Sequence, residues 1–73
     1  MQWPRLEYLR EDNDLTQQTI ADYLNIKQNA YSQYETGRRQ IPLEALIKLA
    51  RYYNTSIDYL LGLTDEKKPY KRR

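Results

Sequence analysis

The sequence predicts an all-α fold of five short helices, and three features lead to it. Phe, Val and Cys are absent and only five isoleucines occur, which is too little β-branched apolar material for a sandwich or barrel. Leucines recur at helical spacing along the chain. Residues that start or stop helices, Pro4, Thr16, Asn25, Gly37, Pro42, Ser56 and Gly62, fall between those stretches. With 40% apolar and 30% charged residues the chain has enough core-forming material to fold rather than stay disordered. Its 73 residues suit one core and not two, so a sensing module is expected on another chain.

Each helix has a local reason. Pro4 suits a first turn and Leu6 and Leu9 follow at i, i+3, placing helix 1 over about Pro4 to Asp12. Asp12-Asn13-Asp14 competes with helical hydrogen bonding and marks a turn. Thr16 is a good N-cap, with Leu15 and Ile20 at the spacing of a hydrophobic staple, so helix 2 runs from Gln17 to Leu24. Asn25 accepts a left-handed conformation, and helix 3 follows from Gln28 to about Thr36, ended by Gly37. Pro42 restarts the chain as helix 4, whose Leu43, Leu46, Ile47 and Ala50 form one apolar stripe, and which ends near Tyr53 and Asn54. Ser56 caps a short helix 5 closed by Gly62. The domain is expected over residues 1–66, followed by a basic flexible tail, 67–73.

Composition narrows the chemistry. Without Cys or His there is no disulfide and no thiolate or imidazole to bind a metal or serve as nucleophile or base, which argues against an enzyme and against a cofactor. A hydrolase would need converging acid and base groups, and the carboxylates are scattered. The N-terminal string Met1-Gln2-Trp3-Pro4-Arg5 lacks a signal-peptide core and no apolar run is long enough for a membrane span, so a cytoplasmic protein without membrane partners is expected. The net charge of +2 hides an uneven distribution. Residues 1–26 carry −3, residues 27–51 carry +3, residues 52–66 carry −3 and the tail carries +5.

The most specific signal is a pair of short helices joined by a three-residue turn. Ile20, Leu24, Ile26, Tyr31 and Tyr34 supply the apolar side, and small Ala21 sits where the helices cross. That is the spacing of a helix-turn-helix. On helix 3, Gln28, Asn29, Ser32, Gln33 and Thr36 share one face, opposite Tyr31 and Tyr34. This face is polar but uncharged, and side-chain amides pair with the N6 and N7 of adenine in a major groove. Lys27 before the helix and Arg38 and Arg39 after it are placed for phosphates, and Thr16 and Gln17 put free amides at the start of helix 2.

The sequence resembles the lambda-repressor-like (Cro and XRE-type) helix-turn-helix family from about Arg5 to Leu63. The strings that carry it are Leu9-Arg10, Leu15-Thr16-Gln17, Ile20-Ala21-Asp22-Tyr23-Leu24, Tyr31-Ser32-Gln33-Tyr34-Glu35-Thr36-Gly37-Arg38-Arg39, Ile41-Pro42, Leu46-Ile47-Lys48-Leu49-Ala50 and Ser56-Ile57-Asp58-Tyr59-Leu60-Leu61-Gly62. The resemblance implies a five-helix fold and dimeric, sequence-specific binding to double-stranded operators of bacterial or phage genes, most often for repression. It implies base reading by Gln28, Asn29 and Gln33, with Ser32 as a fourth, and backbone contacts from Gln17, Thr36, Arg38 and Arg39. It also implies an ion pair of Arg10 with Glu35 between helices 1 and 3. Three positions depart from the family's pattern: Asn25 replaces a turn glycine, Lys27 a Ser or Thr cap, and Thr19 a capping-box Glu.

Several residues have two readings at this level. The helix 3 face is a reading surface or an ordinary solvated one, and Arg38 and Arg39 are phosphate contacts or solubilising loop residues. The Arg10 and Glu35 pair is either a screened surface contact worth at most about 1 kcal/mol or, if buried, more costly to break. Lys67 to Arg73 either solubilises the chain or attracts DNA. Tyr52, Tyr53, Tyr59, Leu60, Leu61 and Leu63 exceed one small core, so they form a homodimer interface or complete the monomer. An antitoxin-like module that masks a partner through helix 5 is the alternative function.

Overall fold

The computed structural model describes residues 4–68, and the side chain of Pro4 is not described. Met1 to Trp3 and residues 69–73 of the expected tail lie outside the described residues. The architecture is all-helical: α1 (Pro4–Asp12), α2 (Gln17–Leu24), α3 (Gln28–Glu35), α4 (Leu43–Tyr52) and α5 (Ile57–Leu60).

Among the described residues, four of the five helices end in the same way, and the residue in the left-handed position explains each end. After α2, Asn25 has φ 60°, its N–H bonds the carbonyl of Asp22 and the Ile26 N–H bonds that of Ala21. This paired pattern is the Schellman motif, which satisfies carbonyls that the helix leaves open. Asp14 after α1 (φ 55°), Asn54 after α4 (φ 52°) and Gly62 after α5 (φ 78°) repeat it, with Leu15, Thr55 and Leu63 donating to Arg10, Ala50 and Asp58. Asp and Asn tolerate this conformation because their short polar side chains hydrogen-bond locally.

The starts differ more. Thr16 Oγ1 accepts from the Thr19 N–H at 3.1 Å, and the two threonine hydroxyls lie 2.9 Å apart, so Thr19 completes the cap with a hydroxyl where a Glu was expected from the family pattern. Ser56 Oγ accepts from the Tyr59 N–H at 3.0 Å. Pro42 is one position earlier than expected: with ψ 149° it stands at the N-cap, and Leu43 is the first helical residue. α3 has the weakest start, because Lys27 makes no side-chain cap. Lys27→Ser is therefore expected to raise unfolding free energy by about 1 kcal/mol, read from the urea midpoint at unchanged slope.

Leu6 and Leu9 of α1, Ile20, Ala21 and Leu24 of α2, Tyr31 of α3, Leu46, Leu49 and Ala50 of α4, and Tyr59 and Leu60 of α5 form one core with Ile41. Ala21 is fully buried, and any larger side chain there would force α2 and α3 apart. Burial also redistributes the residues assigned to a two-fold interface. Tyr59 and Leu60, 8% and 2% exposed, belong to the monomer's own core, and Tyr53 and Leu61 pack against it. Of the six, Tyr52 and Leu63 stay exposed, at 39% and 73%. Periodicity assigns a face but not a neighbour, and α5 is so short that packing on α1 and α4 covers most of it.

Candidate nucleic-acid interface

α2 and α3 pack on each other with Ala21 and Tyr31 fully buried, and Tyr31 anchors the inner side of α3 in the core. That orientation leaves the opposite face outward. Gln28 and Asn29 are exposed, and Ser32 and Gln33 half-buried. The structure thus brings the four expected base-reading residues onto one outer surface. Lys27, Arg38 and Arg39 are exposed at its two ends.

Arg39 does more than follow the helix. Its N–H donates to the Gln33 carbonyl at 3.1 Å, which folds the loop back onto α3. Lys27, Asn29, Ala30, Gln33 and Arg39 then line one shallow open concavity with Ile26. The sequence shows Arg39 only as a residue beyond the helix, because the returning loop depends on Gly37, whose φ of 80° reverses the chain.

Two of the expected phosphate contacts are already engaged. The Thr36 hydroxyl donates to the Ser32 carbonyl at 2.9 Å, so donating to a phosphate requires it to rotate away. The Gln17 amide donates to Glu35 Oε1 at 3.4 Å. Thr16 is exposed, with its hydroxyl in the α2 cap.

The site is braced from behind by a buried ion pair. Arg10 Nε donates to Glu35 Oε2 at 3.0 Å, and Arg10 Nη2 to Glu35 Oε1 at 2.9 Å. Its Nη1 reaches the Leu15 carbonyl at 2.9 Å, so one guanidinium ties together α1, the turn before α2, and α3. The side chains are 15% and 2% exposed, which decides between the two sequence readings in favour of a buried pair. Burial, the largest single influence, raises the Glu35 pKa, but the hydrogen bonds and charge of Arg10, together with the nearby Tyr31 hydroxyl and Gln17 amide, outweigh it and hold Glu35 below its ordinary value. The hydrogen bonds to Glu35 hold the guanidinium's pKa above its own. Burial, with the Glu35 charge beside it, raises the phenol of Tyr31. The hydroxyls of Tyr31 and Tyr53 are buried without a hydrogen bond of normal geometry.

Among the described residues no group of three His, Cys, Asp or Glu side chains is placed to hold a metal. No helix among them is long and apolar enough to cross a membrane.

Comparison with known proteins agrees with this geometry. The family model described as Helix-turn-helix matches residues 6–60. The chain is 41% identical over 69 residues to a Bacillus subtilis (strain 168) protein described as an uncharacterized HTH-type transcriptional regulator, YobD, covering 94% of this chain and 62% of that one. It is 41% identical over 64 residues to the HTH-type transcriptional regulator ImmR of the same organism, covering 88% of this chain and 50% of ImmR. A crystal structure of a transcriptional regulator from Listeria innocua superimposes with a TM-score of 0.76 at 34% identity, over 84% of this chain and 57% of that one. The chain thus spans roughly half to three-fifths of the length of the relatives it matches. With the matched segment running from α1 through α5, the chain belongs to the Cro/XRE-type helix-turn-helix family.

Proposed function

We propose that this chain binds double-stranded DNA sequence-specifically and regulates transcription, as a homodimeric repressor that covers a near-palindromic operator. α3 lies in the major groove, where Gln28, Asn29, Ser32 and Gln33 read base edges. Thr16, Gln17, Lys27, Thr36, Arg38 and Arg39 hold the sugar-phosphate backbone and set the register. The observation that carries this reading is the outer face of α3: among the described residues its amides have no partner within the domain, and three cations flank it.

Dimerisation sets two reading helices about 34 Å apart, one helical turn of DNA, and a bound dimer excludes polymerase from the same sequence. The exposed Tyr52 and Leu63 are the available members of the expected interface. In a bacterial or phage setting the protein works in the cytoplasm on nucleoid DNA. A partner-masking role through α5 lacks support, since Tyr59 and Leu60 are buried.

Selection from randomised duplexes tests the reading. The wild-type chain is expected to enrich one near-palindromic motif, and Gln33→Ala to relax preference at one position per half-site by about 1–3 kcal/mol. An unselective pool from the wild type would sink the base-reading assignment.

A further inference from the structure

The segment after α5, residues 63–68, lies against the domain without an apolar anchor: Leu63 is its only apolar residue and is exposed. Polar contacts hold it instead. Arg5 Nη1 donates to the carbonyls of Tyr59, at 3.0 Å, and of Thr64. Arg5 Nη2 pairs with Asp65 Oδ1 at 2.7 Å, while the guanidinium carbon lies 4.0 Å from the centre of the Tyr59 ring. Further along, the Thr55 hydroxyl donates to the Lys67 carbonyl at 2.5 Å, and Lys67 Nζ lies 4.0 Å from Asp12 Oδ2. Lys67, which the sequence assigns to the tail, is therefore held against the domain.

Asp12 closes α1, and Glu11, Asp12 and Asp14 make the turn into α2 an acidic corner. Thr16 and Gln17 follow directly, and Arg10 holds the Leu15 carbonyl within the same turn. A DNA backbone that approaches the start of α2 meets the repulsion of the carboxylates in the turn before it, which salt screens over about 10 Å.

We infer that residues 63–68 form an electrostatic strap: Arg5 latches it across α1 and α5 so that Lys67 neutralises Asp12 and opens the acidic corner to the DNA backbone. The inference rests on the DNA-binding reading above. Lys67 acts through Asp12 and is a positioning residue, with no base contact of its own.

A double-mutant cycle on the selected duplex at 50 mM salt tests it, using Lys67→Ala, Asp12→Asn and their combination. Both side chains are half exposed, so the domain stays folded in each variant. Lys67→Ala is expected to weaken binding about two- to fivefold, and to have a clearly smaller effect once Asp12 is Asn and no longer holds the ammonium at this corner. Arg5→Met, compared at a temperature where circular dichroism shows it folded, is expected to lose the same factor and to be insensitive to a further Lys67→Ala. An equal loss from Lys67→Ala in both Asp12 backgrounds means direct phosphate contact and overturns the inference, and no loss in either overturns it as well. If Arg5→Met does not fold, the Lys67 and Asp12 cycle decides alone. Failure of the wild type to bind any duplex sinks the DNA-binding reading itself, whereas wild-type binding with zero coupling sinks only the strap.

Discussion

Arg10→Met is expected to cost about 3 kcal/mol of folding free energy, out of roughly 4–11 kcal/mol for a domain of this length. The cost lies less in the lost attraction than in what is left behind. Glu35, with its side chain 2% exposed, would keep a buried charge whose remaining partner is the long contact from Gln17, and the Leu15 carbonyl would lose its donor. Arg10→Met with Glu35→Leu is expected to recover most of the loss, because no charge is then stranded.

The pH dependence gives the same prediction an independent sign. In the wild type Glu35 titrates below its ordinary value of 4.5, so its contribution is present above pH 4.5 and is lost as pH falls through the folded value. In Arg10→Met, only the weaker influences of Tyr31 and Gln17 oppose burial, and the folded value is expected to rise above the unfolded one. The Glu35 contribution is then greatest below pH 4.5 and is lost as pH rises toward neutrality. Urea denaturation between pH 4 and pH 7, at about half-unit steps, should show the variant's deficit shrinking on acidification. Parallel curves for the two proteins would rule out the buried pair as the origin.

Arg38→Ala combined with Arg39→Ala is expected to weaken binding to every duplex by roughly 10- to 100-fold at 0.1 M salt and to reduce the salt slope by about 2. Both side chains are exposed, and among the described residues neither has a hydrogen-bond or ion-pair partner, so folding stability should change by less than about 0.5 kcal/mol. Gln33→Ala should do the reverse, relaxing the base preference at one position per half-site at an unchanged slope. A double variant that altered base preference while keeping the wild-type slope would show that the arginines read sequence, and the assignment of roles would have to be exchanged.

Much of this was legible before folding because the signals are local. Thr16, Asn25, Ser56 and Gly62 set helix ends through their own backbone and side-chain chemistry, and those ends lie where their residue types place them. The outer face of α3 follows from 100° per residue together with two tyrosines opposite it. Asp14 and Asn54 were less legible as left-handed caps, because Asp and Asn serve many kinds of turn and only the Schellman bonds show which one is made.

What the sequence alone determined was therefore the helices, their order and the polar face that α3 presents, since each depends on residues within a turn or two of one another. Tertiary structure decided the rest. It buried the Arg10 and Glu35 pair, which no spacing can do for residues 25 apart; it took Tyr59 and Leu60 from the surface; and it brought Lys67 back to Asp12. These outcomes depend on which faces meet, and burial, with the dielectric that sets the strength of a charge, is a property of the packed whole.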